Sequence, residues 1–153
     1  NPEISGGGLF HDIGPHQIDL MLQYFGEPST YSGSSSNQAG LYLADDMVIG
    51  TIAFKSGVLF QGCWAFSFGE KAEPMEECNI YGTDGSIHFS FYGNQVILKK
   101  SGNEQRFNFE NPENIQLPMI QKTVNYFLGN EATNPCSSEE ALQGLEVMES
   151  FCK

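Results

Sequence analysis

The stretch that decides the fold is residues 46–68, which read DMVIGTIAFKSGVLFQGCWAFSF. Two runs of β-branched and aromatic residues flank the turn Lys55-Ser56-Gly57, and so short a glycine-containing link joins antiparallel strands. In the second run, every other side chain is apolar or glycine and points to one face. That face carries Val58, Phe60, Gly62, Trp64, Phe66 and Phe68. The hairpin therefore predicts a sheet with one apolar face, which helices can cover.

The same pattern continues on both sides of this hairpin. Short links that contain Gly or Asn, residues that tolerate positive φ, separate the apolar runs and predict antiparallel neighbours. These links are Thr83-Asp84-Gly85, Gly93-Asn94 and Ser101-Gly102-Asn103. We predict seven strands, at residues 29–38, 46–55, 58–68, 75–82, 86–91, 94–100 and 104–109.

Helical periodicity appears before and after the strands. Apolar residues recur at helical spacing over 10–25, where Pro15 lies near the start and Gly26 is placed to end the helix. Two more helices are predicted at 115–129 and 137–152, and Ser137 with Glu140 forms a capping box at the last one. The order predicts an α+β fold, an open and mostly antiparallel sheet with helices packed on one face.

Length and charge limit the classes of function. The 153 residues carry 7 Lys and Arg against 19 Asp and Glu, a net charge of −12, which disfavours nucleic acid and anionic membrane as partners. No apolar run reaches the roughly 20 residues that cross a bilayer. One domain fits this length, whereas a complete two-domain enzyme that binds a dinucleotide does not.

The four cysteines include no C-x-x-C pair. We expect reduced and mostly packed thiols in a cytoplasmic protein, although the sequence leaves a disulfide open.

The densest polar cluster is residues 6–19, GGGLFHDIGPHQID. Asp12 and His16 are four residues apart, so on a helix they share one face and form a candidate acid/base pair. Asp19 is a second candidate partner of His16 or a helix-surface acid. Other interpretations stay open: Asp12 as a helix cap, His16 as a half-buried structural residue, or a metal site. Metal binding is the weakest of these, because His11 and His16 diverge on a helix.

Several other residues receive structural interpretations. Trp64 is predicted to pack in the core rather than to stack on a substrate. His88 is assigned to a polar strand face. The acidic pairs Asp45-Asp46 and Glu76-Glu77 are interpreted as solvated strand ends.

Residues 6–19, read as G-G-G-x-x-x-D-x-G-x-H-x-x-D, resemble the signature of the Gfo/Idh/MocA family, the glucose–fructose oxidoreductase and inositol dehydrogenase relatives. The turn around Lys55-Ser56-Gly57, the segment 80–87 and the helix beginning at 138 fit the same family. The resemblance implies a dihydrodipicolinate-reductase-like C-terminal domain over residues 1–153, for substrate binding and oligomerisation. It also implies that the open sheet face packs against a second subunit.

The resemblance further implies an NAD(P)-dependent oxidoreductase that moves hydride between a nicotinamide and a hydroxyl carbon of a sugar, inositol or similar polyol. By position, His16 matches the proton-transferring residue and Asp12 the residue that orients substrate. The family's Rossmann domain, its E-K-P lysine and its first C-terminal strand are not in this chain. We therefore expect a part of a longer enzyme, inactive alone, with NAD or NADP held mainly by the absent domain. The alternative is a non-catalytic dimerisation or binding module of the same fold.

Overall fold

A computed structural model describes residues 4, 6–69 and 75–152. Within these ranges the chain forms helices and strands that we number in chain order. They are α1 (Leu9–Phe25), β1 (Pro28–Ser36), β2 (Met47–Phe54), β3 (Leu59–Ala65), β4 (Cys78–Gly82), β5 (Gly85–Phe89), β6 (Gln95–Lys100), β7 (Asn103–Asn108), α2 (Leu117–Phe127) and α3 (Ser138–Phe151). Two compact units result, one from Asn1–Ala72 with Cys136–Lys153 and one from Glu73–Pro135.

The first unit is built on the antiparallel sheet β1–β2–β3. Burial alternates along β2, where Val48, Ile52 and Phe54 face inward and Ile49 and Thr51 face outward. Helix α3 packs on β1 and β2 over the inner face. Helix α1 packs beside α3 and reaches the sheet where Phe10 meets Trp64 and Phe25 meets Phe54. The sheet therefore has one covered face and one open face, as the alternation of side chains in residues 58–68 predicts.

Two glycines in a row of three let α3 approach this sheet closely. Gly33, Gly50 and Gly62 lie opposite one another on the three strands. A Cβ atom at Gly50 would overlap the ring of Phe151, and one at Gly33 would lie 2.8 Å from the Phe151 Cα. The absence of side chains there makes the space that the fully buried Phe151 ring fills.

Trp64 belongs to this core, which confirms its predicted packing role. Its side chain is buried, and its ring centroid lies 4.9 Å from that of Phe10 in an edge-on arrangement. The other large core side chains come from both helices and from β2. They are Ile18, Met21, Leu22, Val48, Ile52, Phe54, Val147, Met148 and Phe151.

The second unit is a four-stranded antiparallel meander in the order β4–β5–β6–β7, followed in the chain by α2. Its links are the tight turns that the sequence predicts. In the last of them Ser101 (φ 51°) and Gly102 (φ 78°) take the positive φ angles, whereas Asn103 already begins β7. The positive angle at a serine fits a two-residue hairpin turn, in which both central residues need it.

The α+β class is confirmed, and each predicted helix and strand is present within a few residues of its predicted bounds. The sheet is divided into a three-stranded and a four-stranded part among the described residues. The assignment of all 153 residues to one domain stays a prediction. None of the described helices is long and apolar enough to cross a membrane.

Two details of the prediction are wrong. Pro15 lies inside α1 rather than near its start, so the helix loses the bond that residue 15 would donate to the His11 carbonyl. The cysteines are all free, but Cys63 and Cys136 are exposed rather than packed. For Cys63 the reason is that it points to the open face of β3.

Candidate functional site

Helix α1 carries a polar stripe on the face opposite the core. The buried residues of α1, which face the core, are Phe10, Gly14, Gln17, Ile18, Met21 and Leu22. Asp12, His16, Asp19 and Gln23 follow one another at intervals of three and four, which places them on one helix face. Asp12, His16 and Gln23 are exposed and Asp19 is half-buried. The structure thus brings the predicted pair Asp12 and His16 together on one solvent-reachable surface.

Asp12 does not cap the helix. The N-cap residue is Gly8, whose backbone is extended and which offers no side-chain bond. Asp12 lies within the first turn, where its charge is favourable to the helix dipole. Among the contacts that join described residues, none ties the Asp12 carboxylate to His16. Both groups therefore present their polar atoms to the space outside the helix.

His16 is exposed rather than half-buried, so a structural role in the core is excluded. His11 points elsewhere: its ring lies against Gly7, where a Cβ atom would come within 2.5 Å of the His11 Nδ1 atom. In the described ranges, no group of three or more His, Cys, Asp or Glu is placed to hold a metal ion. The chemistry that this stripe offers is hydrogen bonding and proton transfer.

Asp19 extends the stripe towards α3. Its Oδ2 atom accepts a hydrogen bond of 2.9 Å from the Gln23 side chain. Partial burial raises the pKa of the Asp19 carboxyl, and the charge of Glu140 at the start of α3 adds to this. The Gln23 bond and the nearby His16 act in the opposite direction. Asp19 is thus an electrostatic neighbour of His16.

The loop between β1 and β2, residues 37–46, lies at the amino end of α1. A Cβ atom on Gly8 would meet the Ala44 Cβ atom at 2.8 Å and the Asp45 carbonyl oxygen at 3.1 Å, so this β1–β2 loop packs directly on the glycine turn. The sequence did not indicate that this loop packs at the amino end of α1. Turn residues identify a loop in a sequence, but they do not show what the loop packs against.

Asp46 anchors this loop and corrects the interpretation of Asp45-Asp46 as a solvated strand end. It is buried and its carboxylate accepts backbone bonds from Gln38 at 2.7 Å and Ala39 at 2.9 Å. The bond from Gln38 lowers the pKa of the Asp46 carboxyl most, and bonds from Ala39 and the Ser67 side chain lower it further. Glu76, from the other acidic pair Glu76-Glu77, is half-buried. Its carboxylate accepts hydrogen bonds from the Ser90 hydroxyl and the Phe91 amide.

The outer face of the sheet β1–β2–β3 is open and partly apolar. Leu59 is 80% exposed and Ile49 is 51% exposed, and Cys63 lies directly opposite Ile49 in the register. A shallow concavity of about 570 Å³ runs along residues 30–32, 51–53 and 59–61. It does not include the stripe on α1, so the first unit carries two separate surfaces of interest.

His88 lies on β5 in the second unit, beside two polar side chains. Its Nδ1 atom lies 2.9 Å from the Asn79 Oδ1 atom across the strands and 3.8 Å from a Glu77 carboxylate oxygen.

Comparison with known proteins gives a consistent result. The sequence model of the GFO/IDH/MocA C-terminal domain matches residues 1–88. The chain is 48% identical over 151 residues to Oxidoreductase P35 of Formosa agariphila, covering 99% of this chain and 45% of that protein. The 153 residues thus span less than half of that relative's length.

Solved structures share the fold at low sequence identity. An oxidoreductase from Agrobacterium radiobacter, in complex with NAD+, L-tartaric acid and magnesium, matches with a TM-score of 0.74 at 18% identity, covering 92% of this chain and 44% of that one. The UDP-N-acetylglucosamine 3-dehydrogenase GnnA from Acidithiobacillus ferrooxidans matches with a TM-score of 0.75 at 15% identity, covering 90% and 43%.

Proposed function

Because the chain belongs to the GFO/IDH/MocA family as a C-terminal domain, we propose that it is the substrate-binding domain of an NAD(P)-dependent oxidoreductase. The reaction is hydride transfer between a nicotinamide and a hydroxyl carbon of a sugar, inositol or similar polyol. The observation that carries the proposal is the exposed pair Asp12 and His16 on one face of α1. The relative from Formosa agariphila is named as an oxidoreductase, which supports this class of reaction.

In this proposal His16 moves the hydroxyl proton. A carbon–oxygen bond gains double-bond character as hydride leaves, so the hydroxyl proton must depart, and an imidazole is suited to accept it near neutral pH. In the reverse direction the same imidazole returns the proton. Asp12, one turn earlier, accepts a hydrogen bond from a substrate hydroxyl and so fixes which carbon is presented.

The described residues do not form a cradle for the dinucleotide. The sequence lacks the G-x-G-x-x-G pattern, and each described strand pair is antiparallel rather than part of a βαβ unit. We therefore assign nicotinamide binding mainly to the remainder of the full-length protein. Structural neighbours crystallised with NAD+ or NADP+ support this class of cofactor.

The test is kinetic, in the full-length protein. Replacing His16→Ala should lower kcat about 10²- to 10⁴-fold, the range for loss of a general acid/base, while the Kd for NAD(P) stays unchanged. Asp12→Asn should lower kcat/KM as well. His88→Ala is the matched control, because it removes a histidine in the other unit. Unchanged turnover of the His16 variant would reject the role of His16, whereas absence of turnover in the parent protein would favour a non-catalytic binding module.

We propose in addition that the outer face of β1–β2–β3 is a subunit interface between copies of the protein. The exposure of Ile49 and Leu59 on this open sheet face supports this. The four free cysteines support a reducing, cytoplasmic setting.

A further inference from the structure

The helix α1 is weakened between Asp12 and His16. Pro15 lies inside it, has no amide hydrogen to donate and crowds the carbonyl of His11 with its ring. Gly14, directly before it, is after proline the residue type least favourable to a helix. The hydrogen bonds of α1 therefore constrain the relative position of Asp12 and His16 less than those of an unbroken helix would.

The indole of Trp64 contacts α1 on both sides of Pro15. Its ring centroid lies 4.9 Å from that of Phe10, which precedes Asp12 by two residues. Its N–H donates a hydrogen bond to the side-chain oxygen of Gln17, which follows His16 directly. Phe10 and Gln17 are two helical turns apart, so they lie on the same face of α1. We call these two contacts the Trp64 clamp.

The sheet holds the indole in a fixed position. One end of the ring lies against Gly62 on the same strand, where a Cβ atom would overlap it. The Phe151 ring centroid lies 6.1 Å from that of Trp64, and Trp64 is buried. On the helix side, Gly14 leaves space for the Phe10 ring, since a Cβ atom there would come within 2.7 Å of a ring carbon. The indole is thus a rigid support for both parts of the helix.

We propose that Trp64 is a positioning residue of the site, which fixes the separation and relative orientation of Asp12 and His16 across Pro15. The inference rests on the proposed function, because it concerns how the two groups are held for that reaction. Asp12 binds a substrate hydroxyl there and His16 moves the proton, so their relative position decides whether the reacting hydroxyl reaches the imidazole. A displacement of about 1 Å can lower a rate about 10²-fold.

The experiment uses the full-length protein with NAD+ or NADP+ supplied, and myo-inositol and D-glucose as probes. Trp64→Phe should lower kcat about 10- to 100-fold and change KM less than about threefold, because the substrate is still bound but meets a displaced imidazole. Gln17→Met keeps the side-chain length and the contact between Trp64 and Phe10. It removes the acceptor of the indole N–H and should lower kcat about three- to tenfold.

Phe54→Leu is the matched control for stability. Phe54 is also a sheet residue whose ring contacts α1, but it meets Phe25, with 5.5 Å between ring centroids, on the carboxyl side of Pro15 alone. Phe54→Leu and Trp64→Phe should both lower Tm by a few degrees, whereas Phe54→Leu should leave kcat within about twofold of the parent. Equal losses of kcat in the two variants would overturn the proposal, since the loss would then follow stability.

A double-mutant cycle with His16→Ala gives a readout that a purely structural role would not move. In the His16→Ala background, Trp64→Phe should lower the residual kcat less than about twofold, because no imidazole remains to be positioned. Loss of folded protein would instead lower the rate by the same factor in both backgrounds. Equal factors would therefore overturn the positioning role.

Amide hydrogen exchange measures the clamp without turnover. The amides of residues 16–19 donate to carbonyls of residues 12–15 across the weak point, so Trp64→Phe should speed their exchange about tenfold or more. Phe54→Leu should leave their exchange unchanged. Unchanged exchange in Trp64→Phe would overturn the clamp, whatever the activity of the protein.

The failure of this inference is distinguishable from the failure of the proposed function. Loss of turnover in His16→Ala together with unchanged kcat in Trp64→Phe would overturn the positioning role while the proposed function stands. Turnover that survives His16→Ala, or a parent that turns over neither probe, would reject the proposed roles on α1 and the positioning role with them.

Discussion

The indole N–H of Trp64 on β3 donates a buried hydrogen bond to the side-chain oxygen of Gln17 on α1. Both residues are buried, and the two positions are 47 residues apart in the chain. A directional bond between a strand and a helix limits how far the helix can rotate on the sheet. Because Gln17 follows His16 directly, this bond also fixes the direction in which the polar stripe of α1 points.

Replacing Trp64→Phe should test this bond. The change removes the donor and leaves the Gln17 oxygen buried, which costs about 1–3 kcal/mol in the free energy of unfolding. Urea denaturation of the protein measures it. Gln23→Leu, an exposed glutamine on the same helix, should change the free energy by less than about 0.5 kcal/mol. Equal stabilities of Trp64→Phe and the parent would contradict the role of the bond.

The glycine at position 50 should not tolerate a side chain. Gly50→Ala pushes a methyl group into the Phe151 ring and should destabilise the protein by about 1–3 kcal/mol through overpacking. Gly144→Ala is the matched control, because outside the neighbouring backbone of α3 no atom lies within 4 Å of the added Cβ. Within helix α3 it should stabilise by about 0.5–1 kcal/mol. Partial rescue of Gly50→Ala by Phe151→Leu would locate the clash, whereas additive effects would argue against it.

Asp46 should make the stability of the first unit depend on pH in the acidic range. Its folded pKa lies below the ordinary value, chiefly because the Gln38 amide donates to it. The stabilisation is therefore complete above the unfolded pKa of about 3.9 and is lost as pH falls through the lower folded pKa. Asp46→Asn should lower Tm at pH 7, and the difference from the parent should shrink towards pH 3. A difference that is the same at both pH values would contradict this.

Glu104→Gln serves as the comparison for Asp46. The pKa of Glu104 is also lowered, mainly by the hydrogen bond from Arg106, but that pair lies in the solvent on β7. Exposed pairs contribute little, so the Tm of this variant should barely move at either pH.

Thiol labelling should report on the proposed subunit interface. Cys63 lies exposed on the outer sheet face, whereas Cys136 is exposed elsewhere on the first unit. Both thiols should therefore react with a disulfide reagent in dilute protein. As the protein associates, the labelling rate of Cys63 should fall while that of Cys136 stays constant. Full reactivity of Cys63 in an oligomer would exclude this face.

Short-range sequence patterns predicted the helices and strands, because the interactions that form these elements join residues close together in the chain. Alternating side chains set the strands, and the turn around Gly57 (φ 88°) set the central hairpin. The capping box of Ser137 with Glu140 was predicted and is present. These features depend on residues within a few positions of one another, which the sequence shows directly.

The candidate site was predicted only in part. The spacing of Asp12 and His16 determined that they share a helix face, but not whether that face lies in the core or in the solvent. The roles of Asp12 and His16 in catalysis stay predictions. The β1–β2 loop and the burial of Asp46 were not predicted, since a carboxylate beside a strand is solvated or buried according to which amides surround it.

The sequence by itself determined the α+β class, the seven strands, the three helices and the family signature around Asp12 and His16. Only the tertiary structure decided that Phe151 fills the space above Gly50, that Trp64 bonds Gln17, and that the β1–β2 loop packs on Gly8. The physical reason is distance along the chain. Hydrogen bonds of helices and turns close within a few residues, whereas packing joins residues that no short-range pattern relates.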